Sequence, residues 1–529
     1  MAWLAIYHSY SVKSHQLARE SMISPSERMD PVDVTWWRMD RPTNLMIIVG
    51  VLMLAGPVDI GRLERTLEKR ILAFPRFRQR VEASSSGIWW CDDPHFHISH
   101  HIKRVRLPGR GTKADLERFV ADLSAQPLDL AHPLWQFHIV EDYAGGVAVI
   151  ARIHHSIADG IALISVILSL TDEQPDARPV PRKRQRPAMS SDSAPANPLQ
   201  AIAGLATGVA QMVGTGLSLS TEALQTALGL ATHPTKAAET LREGTGIAAE
   251  LAYLLLMPSD SQTRFKKSPS GDKRVAWTDP IPLPEVKAVS HVLGCSVNDM
   301  LLAAVAGALN GYLCDHGDPT EGVEVRALVP IDLRSPGSER ELGNRFGVLA
   351  LELPVGLVSP LARLQEVHRR MAALKQSKEP AVTLGLLAAL GNAPQAVQDT
   401  VFDLLLSRAS AVITNVPGPQ CALYLAGSEL KQIMFWVPRP HNIGMGVSII
   451  SFNGQVQFGL ITDTAVVPDP HAIVSRFKPE FEQLLYYVML EPWGPPEVAE
   501  GAEVATPVRK SKAKRRRRTP GSRPGGIAG

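Results

Sequence analysis

The run His154-His155-Ser156-Ile157-Ala158-Asp159-Gly160 brings two imidazoles, a hydroxyl and a carboxylate within a few residues of one another. Histidine is the side chain whose ordinary pKa lies nearest neutrality, which makes it the first candidate for a general base. The run closes an apolar segment, Val147 to Ile153, with the length and β-branched content of a buried strand. Successive side chains on a strand point to opposite faces, so His154 and His155 are expected to serve different surroundings. One should face a packed interior and the other a cleft. The same alternation argues against a metal held by both histidines and Asp159. Asp159 stands where a helix N-cap would, just ahead of the apolar stretch Ile161 to Leu170. Gly160 would let the backbone approach a ligand or a neighbouring lobe closely.

Little else in the chain competes as a reactive centre. There is no GxSxG elbow, and the four cysteines, Cys91, Cys295, Cys314 and Cys421, are scattered without a CxxC pair. That pattern argues against a zinc site or a disulfide framework and fits a reducing compartment. His95, His97, His100 and His101 form a cluster, and His95 and His97 would share a face if the segment to Val105 were extended. No carboxylate or cysteine stands at ligand spacing beside them, so no metal is expected. Gly444-Met445-Gly446 lacks a third glycine and leads into a strand, which is not a dinucleotide loop.

Stepping out from the histidines, Trp135 to Asp142 and Val147 to Ile153 flank Gly145-Gly146 and read as a hairpin whose second strand carries them. Leu45 to Leu54 reads as a buried strand, Ile60 to Phe74 as a helix and Gly87 to Cys91 as a strand. Farther on, Pro284 to His291, Val297 to Leu313 (with Ser296 as N-cap) and Pro360 to Lys375 have helical patterns, and Val382 to Leu406 two more. Val323 to Pro330, Leu349 to Leu353, Ala411 to Asn415, Gly446 to Phe452 and Gln455 to Ile461 read as strands, the last two joined across Asn453-Gly454. A closing helix is expected from His471 to about Met489.

The chain has 529 residues, too many for one compact core. The expected division is a variable extension over 1–28, a lobe over 29–172 bearing the histidines, a linker with helical segments over 173–274, a second lobe over 275–495, and a basic tail over 496–529. Nine of the 55 Lys and Arg residues fall in 509–529, which leaves 46 against 52 acidic residues in the body. The tail could therefore bind an anionic membrane surface or nucleic acid, or be a disordered solubilising tail; the acidic body and the missing basic groove weigh against nucleic acid. Leu199 to Leu230 is apolar enough to consider as a span, but Gln200, Gln211, Glu222 and Gln225 interrupt it and favour packed or interfacial helices.

Several short elements follow one another along the chain: Pro133-Leu134-Trp135, the HHxxxDG run, Ser296-Val297-Asn298-Asp299, Val329-Pro330-Ile331-Asp332-Leu333-Arg334, Gly343-Asn344-Arg345-Phe346-Gly347, and Asn415-Val416-Pro417-Gly418-Pro419. Together they resemble the bacterial wax ester synthase/diacylglycerol acyltransferase family, within the CoA-dependent acyltransferase superfamily, from about Pro31 to Pro492. The opening differs: Met29-Asp30-Pro31-Val32-Asp33-Val34-Thr35 stands where the family usually has Ser-Pro-Val-Asp-Ala-Met-Phe. The resemblance implies an α/β fold of two chloramphenicol-acetyltransferase-like lobes with a central substrate tunnel. It implies an acyl-CoA-dependent O-acyltransferase that makes triacylglycerol from diacylglycerol, or wax esters from long-chain alcohols. Acyl-CoA would be a substrate, with no bound cofactor. His155 would be the general base, His154 a supporting residue and Asp159 an orienting carboxylate paired with Arg334. Gly160 and Asn298 would contact substrate, and Pro133 and Trp135 would hold the strand that carries the histidines. The expected location is the cytoplasm, at the inner face of the membrane or on lipid inclusions. A lipid-binding or scaffold paralogue of low activity is the alternative.

Overall fold

The computed structural model describes residues 26–175, 254, 257–334 and 342–490. The linker from Asp176, the apolar stretch 199–230 and the basic tail lie outside these residues. The chain opens with a short strand β1 (Ser26–Arg28) and helix α1 (Pro31–Arg38). Asp30 caps α1 by accepting from the Val32 N–H, and Pro31 supplies a pre-set φ at the first helical position. Next come β2 (Ile47–Leu54), α2 (Ile60–Ile71), β3 (Gln79–Ser84), β4 (Gly87–Asp92), β5 (Ile102–Arg106) and α3 (Lys113–Ser124). The hairpin β6 (Trp135–Tyr143) and β7 (Gly146–His154) leads into α4 (Gly160–Leu170). Its loop residues are Ala144 and Gly145, both at positive φ, while Gly146 begins the strand so close to Leu54 O that a Cβ would lie 2.0 Å away.

The second half begins at β8 (Lys273–Trp277), β9 (Ile281–Pro282), α5 (Leu283–Val292) and α6 (Val297–Asp315). It continues with β10 (Val325–Asp332), β11 (Phe346–Leu353), α7 (Pro360–Lys375), α8 (Glu379–Asn392) and α9 (Gln395–Leu406). The last elements are β12 (Ala411–Pro417), β13 (Leu423–Leu425), β14 (Ser428–Trp436), β15 (Met445–Phe452), β16 (Gln455–Asp463) and α10 (His471–Leu490). Asn453 and Gly454, both at positive φ, make the turn that joins β15 to β16. Helix α6 is apolar on nearly every face, and its length would suffice for a membrane span. It is the core helix of the second half, with 72% of its apolar window buried inside the fold.

Two mixed sheets carry the architecture. The first has the order β13-β14-β2-β7-β6-β5, and the second runs β11-β10-β12-β15-β16-β8 with β9 beside β16. Strands β13 and β14 come from the second half of the chain but complete the first sheet, β14 pairing with β2 from Leu430–Leu54 to Trp436–Val49. The spans 29–172 and 275–495 therefore do not map one-to-one onto the sheets. The segment from His95 also departs from expectation. His97 caps a short 3-10 turn, Ile98–His100, before β5 begins, so His95 and His97 do not share a strand face. Helix α3 escapes the sequence pattern because only Leu116, Val120 and Leu123 mark its apolar stripe among charged neighbours. A capping box between Thr112 and Asp115 fixes its start.

Candidate active site

The histidine pair sits at the end of β7, held from both sides. The His154 N–H donates to Leu134 O at 2.9 Å, and the His155 N–H donates to Met46 O at 2.7 Å. Trp135, fully buried, donates from Nε1 to Phe77 O and pairs across the sheet with Ile153. Pro133, Leu134 and Trp135 thus start the strand beside the one that ends in the histidines.

The two imidazoles have different neighbours. His154 Nδ1 accepts from the Ser156 N–H at 3.1 Å, which places its proton on Nε2, 3.3 Å from Asp40 Oδ2. His155 stacks on Trp36 with ring centroids 4.2 Å apart, and Phe346 closes its other side at 5.6 Å. Burial pushes the His155 imidazole down to about 4, against the pull of the Asp159 charge. At neutral pH it is therefore an unprotonated ring, and its Nδ1 has no hydrogen-bond partner among the described residues.

Asp159 does not bind the histidine. Its carboxylate caps α4 through the Ala162 N–H, accepts from the Arg345 N–H at 3.0 Å and pairs with Arg334 Nη1 at 2.7 Å. Arg334 also donates to Gly343 O, so one buried ion pair ties the HHxxxDG loop to the second half. Gly160, the first residue of α4, has no heavy atom within 4 Å of where a Cβ would stand. Packing within the chain does not require a glycine there; the open space belongs to a cleft.

Sequence reasoning did not single out Asp33, Trp36, Asn344 or Phe346 as site residues. Asn344 donates from Nδ2 to Asp33 Oδ1 and to His155 O, each at 2.8 Å, and its backbone N–H donates to the same Asp33 oxygen. The two residues stand 311 positions apart, and only the fold brings them together. Burial pushes the Asp33 carboxyl up to about 7 against the pull of the Asn344 hydrogen bond. Asn298 lies in the first turn of α6 and accepts from Asn415 Nδ2 at 2.9 Å, which leaves its NH2 as the donor available to a ligand. The capping role belongs to its neighbours: Ser296 and Asp299 form a capping box, and Asp299 also holds His368 Nδ1 at 2.8 Å.

An apolar cleft runs from this site. Its walls are Ile48, Gly50 and Leu52 of β2, Ala151 and Ile153 of β7, and a stripe of α4 at Gly160, Leu163, Ile164, Ile167 and Leu168. Strand β14, Ile450 and Gly418-Pro419 complete it. Ala151 and Ile153 of β7 line the cleft, and His155, one residue past the end of β7 with its N–H still bonded to Met46 O, follows next in that alternation. The α4 stripe has helical spacing and borders the cleft where it packs on the core: Leu163 is buried, while Ile164, Ile167 and Leu168 are half-buried. Among the described residues, no group of three or more His, Cys, Asp or Glu side chains could hold a metal ion. His132 pairs with Asp93 at 3.2 Å, while His101 stacks on Trp135 and Phe96.

Comparison with known proteins fits this geometry. The wax ester synthase/diacylglycerol acyltransferase catalytic domain matches residues 29–301, and the C-terminal domain of the same family matches 342–485. A Mycobacterium tuberculosis protein that bears the name of a diacylglycerol O-acyltransferase is 27% identical over 480 residues, 87% of this chain and 90% of that protein. Among solved structures, the wax ester synthase/diacylglycerol acyltransferase from Marinobacter aquaeolei VT8 superposes with a TM-score of 0.60 at 20% identity, covering 88% of this chain and all of that one. The first condensation domain of the calcium-dependent antibiotic synthetase gives 0.52 at 13% identity, over 87% of this chain and 96% of that one. The fold is therefore the α/β, two-lobed architecture of the chloramphenicol-acetyltransferase type. The chain belongs to the wax ester synthase/diacylglycerol acyltransferase family.

Proposed function

We propose that this protein is an acyl-CoA-dependent O-acyltransferase that forms triacylglycerol from diacylglycerol, wax esters from long-chain alcohols, or both, with His155 as general base. The observation that carries the role of His155 is a neutral, aromatic-clamped imidazole on the open side of a strand, beside an apolar cleft. An alcohol is a poor nucleophile until a base takes its proton. His155 accepts that proton as the alcohol oxygen attacks the thioester carbonyl. The carbon–sulfur bond then breaks, and the imidazolium returns the proton to the leaving thiolate, releasing CoA as a thiol. No acyl-enzyme is required. Asp159, close enough to act on the ring yet held by Arg334, favours the transient imidazolium without accepting its proton. The α4 stripe accommodates a hydrocarbon chain and keeps water from the thioester.

The test is CoA release from palmitoyl-CoA with diacylglycerol or hexadecanol, comparing wild type with His155→Ala. Removal of the base is expected to cost about 100-fold or more in kcat. Because the folded imidazole titrates near 4, wild-type kcat/KM is expected to stay flat from about pH 5.5 to 8, with no acid limb near 6.5. CoA release no greater than the mutant's with either acceptor would favour the low-activity paralogue instead.

A further inference from the structure

Arg439 lies in the segment between β14 and β15 and is 5% exposed. A guanidinium is costly to bury unless its donors are matched, because it carries both charge and five N–H groups. Among the described residues neither Nε nor Nη1 of Arg439 has a hydrogen-bond partner, and no carboxylate forms an ion pair with it. The carboxylate whose charge acts on it, Asp463, already receives Ser270 N–H, Gly271 N–H and Lys273 Nζ. Arg439 thus shares that anion with Lys273, which burial and the Arg439 charge lower to about 7. Burial lowers Arg439 to about 10, which leaves it charged at neutral pH.

Its position follows from strand register. Trp436 pairs with Val49, and past the end of β14 Asn44 Nδ2 donates to both His441 O and Ile443 O, which keeps the segment that holds Arg439 beside the residues leading into β2. Met46, in that stretch, accepts the His155 N–H, so the backbone of Arg439 runs about two strand spacings, roughly 10 Å, from that of His155. The facing sheet gives an independent fix. The Arg439 stem lies over Gly446, where a Cβ would come 3.1 Å from its Cδ, and beside Ile461. Gly446 and Ile450 alternate along β15, and Ile450 lines the apolar cleft.

Building on the acyl-transfer reading above, we infer that Arg439 is a specificity-determining residue that donates to the ester carbonyls of a diacylglycerol acceptor. A long-chain alcohol brings one polar group, and His155 engages it. A diacylglycerol brings two further carbonyls into the same apolar interior, where each needs a donor. The unmatched nitrogens of Arg439, on a long side chain whose backbone lies about two strand spacings from His155, supply it.

The experiment compares wild type, Arg439→Met and Arg439→Gln with palmitoyl-CoA and either 1,2-dioctanoylglycerol or hexadecanol. Loss of one charge-assisted hydrogen bond should lower the ratio of dioctanoylglycerol to hexadecanol kcat/KM by about tenfold, mainly through KM for the glyceride. Glutamine, which keeps two donors, should retain more of that ratio than methionine. An equal loss on both acceptors, a raised KM for palmitoyl-CoA, or an unchanged ratio overturns the inference. A dioctanoylglycerol-induced thermal shift, present in wild type and His155→Ala but lost in Arg439→Met, supports it without any turnover; no shift in wild type overturns it. Wild type that releases no CoA with either acceptor would instead sink the acyl-transfer reading.

Discussion

Replacing Arg334 with methionine tests the anchor of the histidine loop. The Arg334–Asp159 pair is buried on both sides, with side-chain exposures of 2% and 4%. Removing one partner of such a pair costs about 3–5 kcal/mol, chiefly because the other charge stays buried and uncompensated. Here Asp159 keeps the Ala162 and Arg345 N–H donors, so the lower end, about 3 kcal/mol, applies. Gly343 O loses a donor as well, adding about 1 kcal/mol. Asp159→Asn alone should cost less, because Arg334 keeps Asp332 Oδ1 at 3.3 Å and Gly343 O, and asparagine caps a helix nearly as well as aspartate. The double variant leaves neither charge unpaired, so its loss should fall short of the sum of the singles by about 2 kcal/mol or more. Urea unfolding of all four proteins at pH 7 gives the cycle, and CoA release from the same preparations gives activity. Activity of Arg334→Met should drop about tenfold or more, because the loop that ends β7 loses its tie to the second half. Additive losses, or an Arg334→Met protein within about 0.5 kcal/mol of wild type, would refute the reasoning.

Two further outcomes are expected. The Asp33 carboxyl titrates near 7 when folded against 3.8 otherwise, so its contribution to stability is complete below pH 3.8 and is lost as pH rises through 7. Asp33→Asn should therefore gain on wild type by about 2 kcal/mol between pH 5.5 and 8.5 in urea unfolding; a difference that does not change with pH counts against it. Ile167→Trp, on the α4 stripe, should fill the cleft and lower turnover of palmitoyl-CoA more than that of hexanoyl-CoA. Equal effects on both thioesters would mean that the acyl chain lies elsewhere.

The elements that carry the histidines were legible because their signals are local. Strand β7 announces itself by a continuous apolar run, α4 by its N-cap aspartate, and the β15–β16 turn by Asn453-Gly454. The histidines' different surroundings followed from strand alternation alone. What surrounds His155 was not legible, because Trp36, Asn344 and Phe346 reach it from segments with no local mark of chemistry. Their motifs were visible as resemblance, but contact across the chain is a property of the fold. The same holds for Arg439, which in sequence is one arginine between two prolines. The extended reading of His95 to Val105 holds from Ile102, in β5, but not before it, for the opposite reason: His97 binds its own Ser99 backbone and turns the chain locally.

The crossover of β14 sets a mechanical limit. Six residues along β2 are paired with a strand whose chain then passes, through residues 437–444, into the sheet opposite. Swinging the two sheets apart like jaws would tear that ladder, and with it the edge of the first sheet. The crossover thus opposes widening of the cleft, and in the proposed reaction a narrow apolar cleft suits an extended hydrocarbon chain. The same stitching means that the first half made alone would expose the bare edge of β2, a long apolar strand primed to pair with another copy.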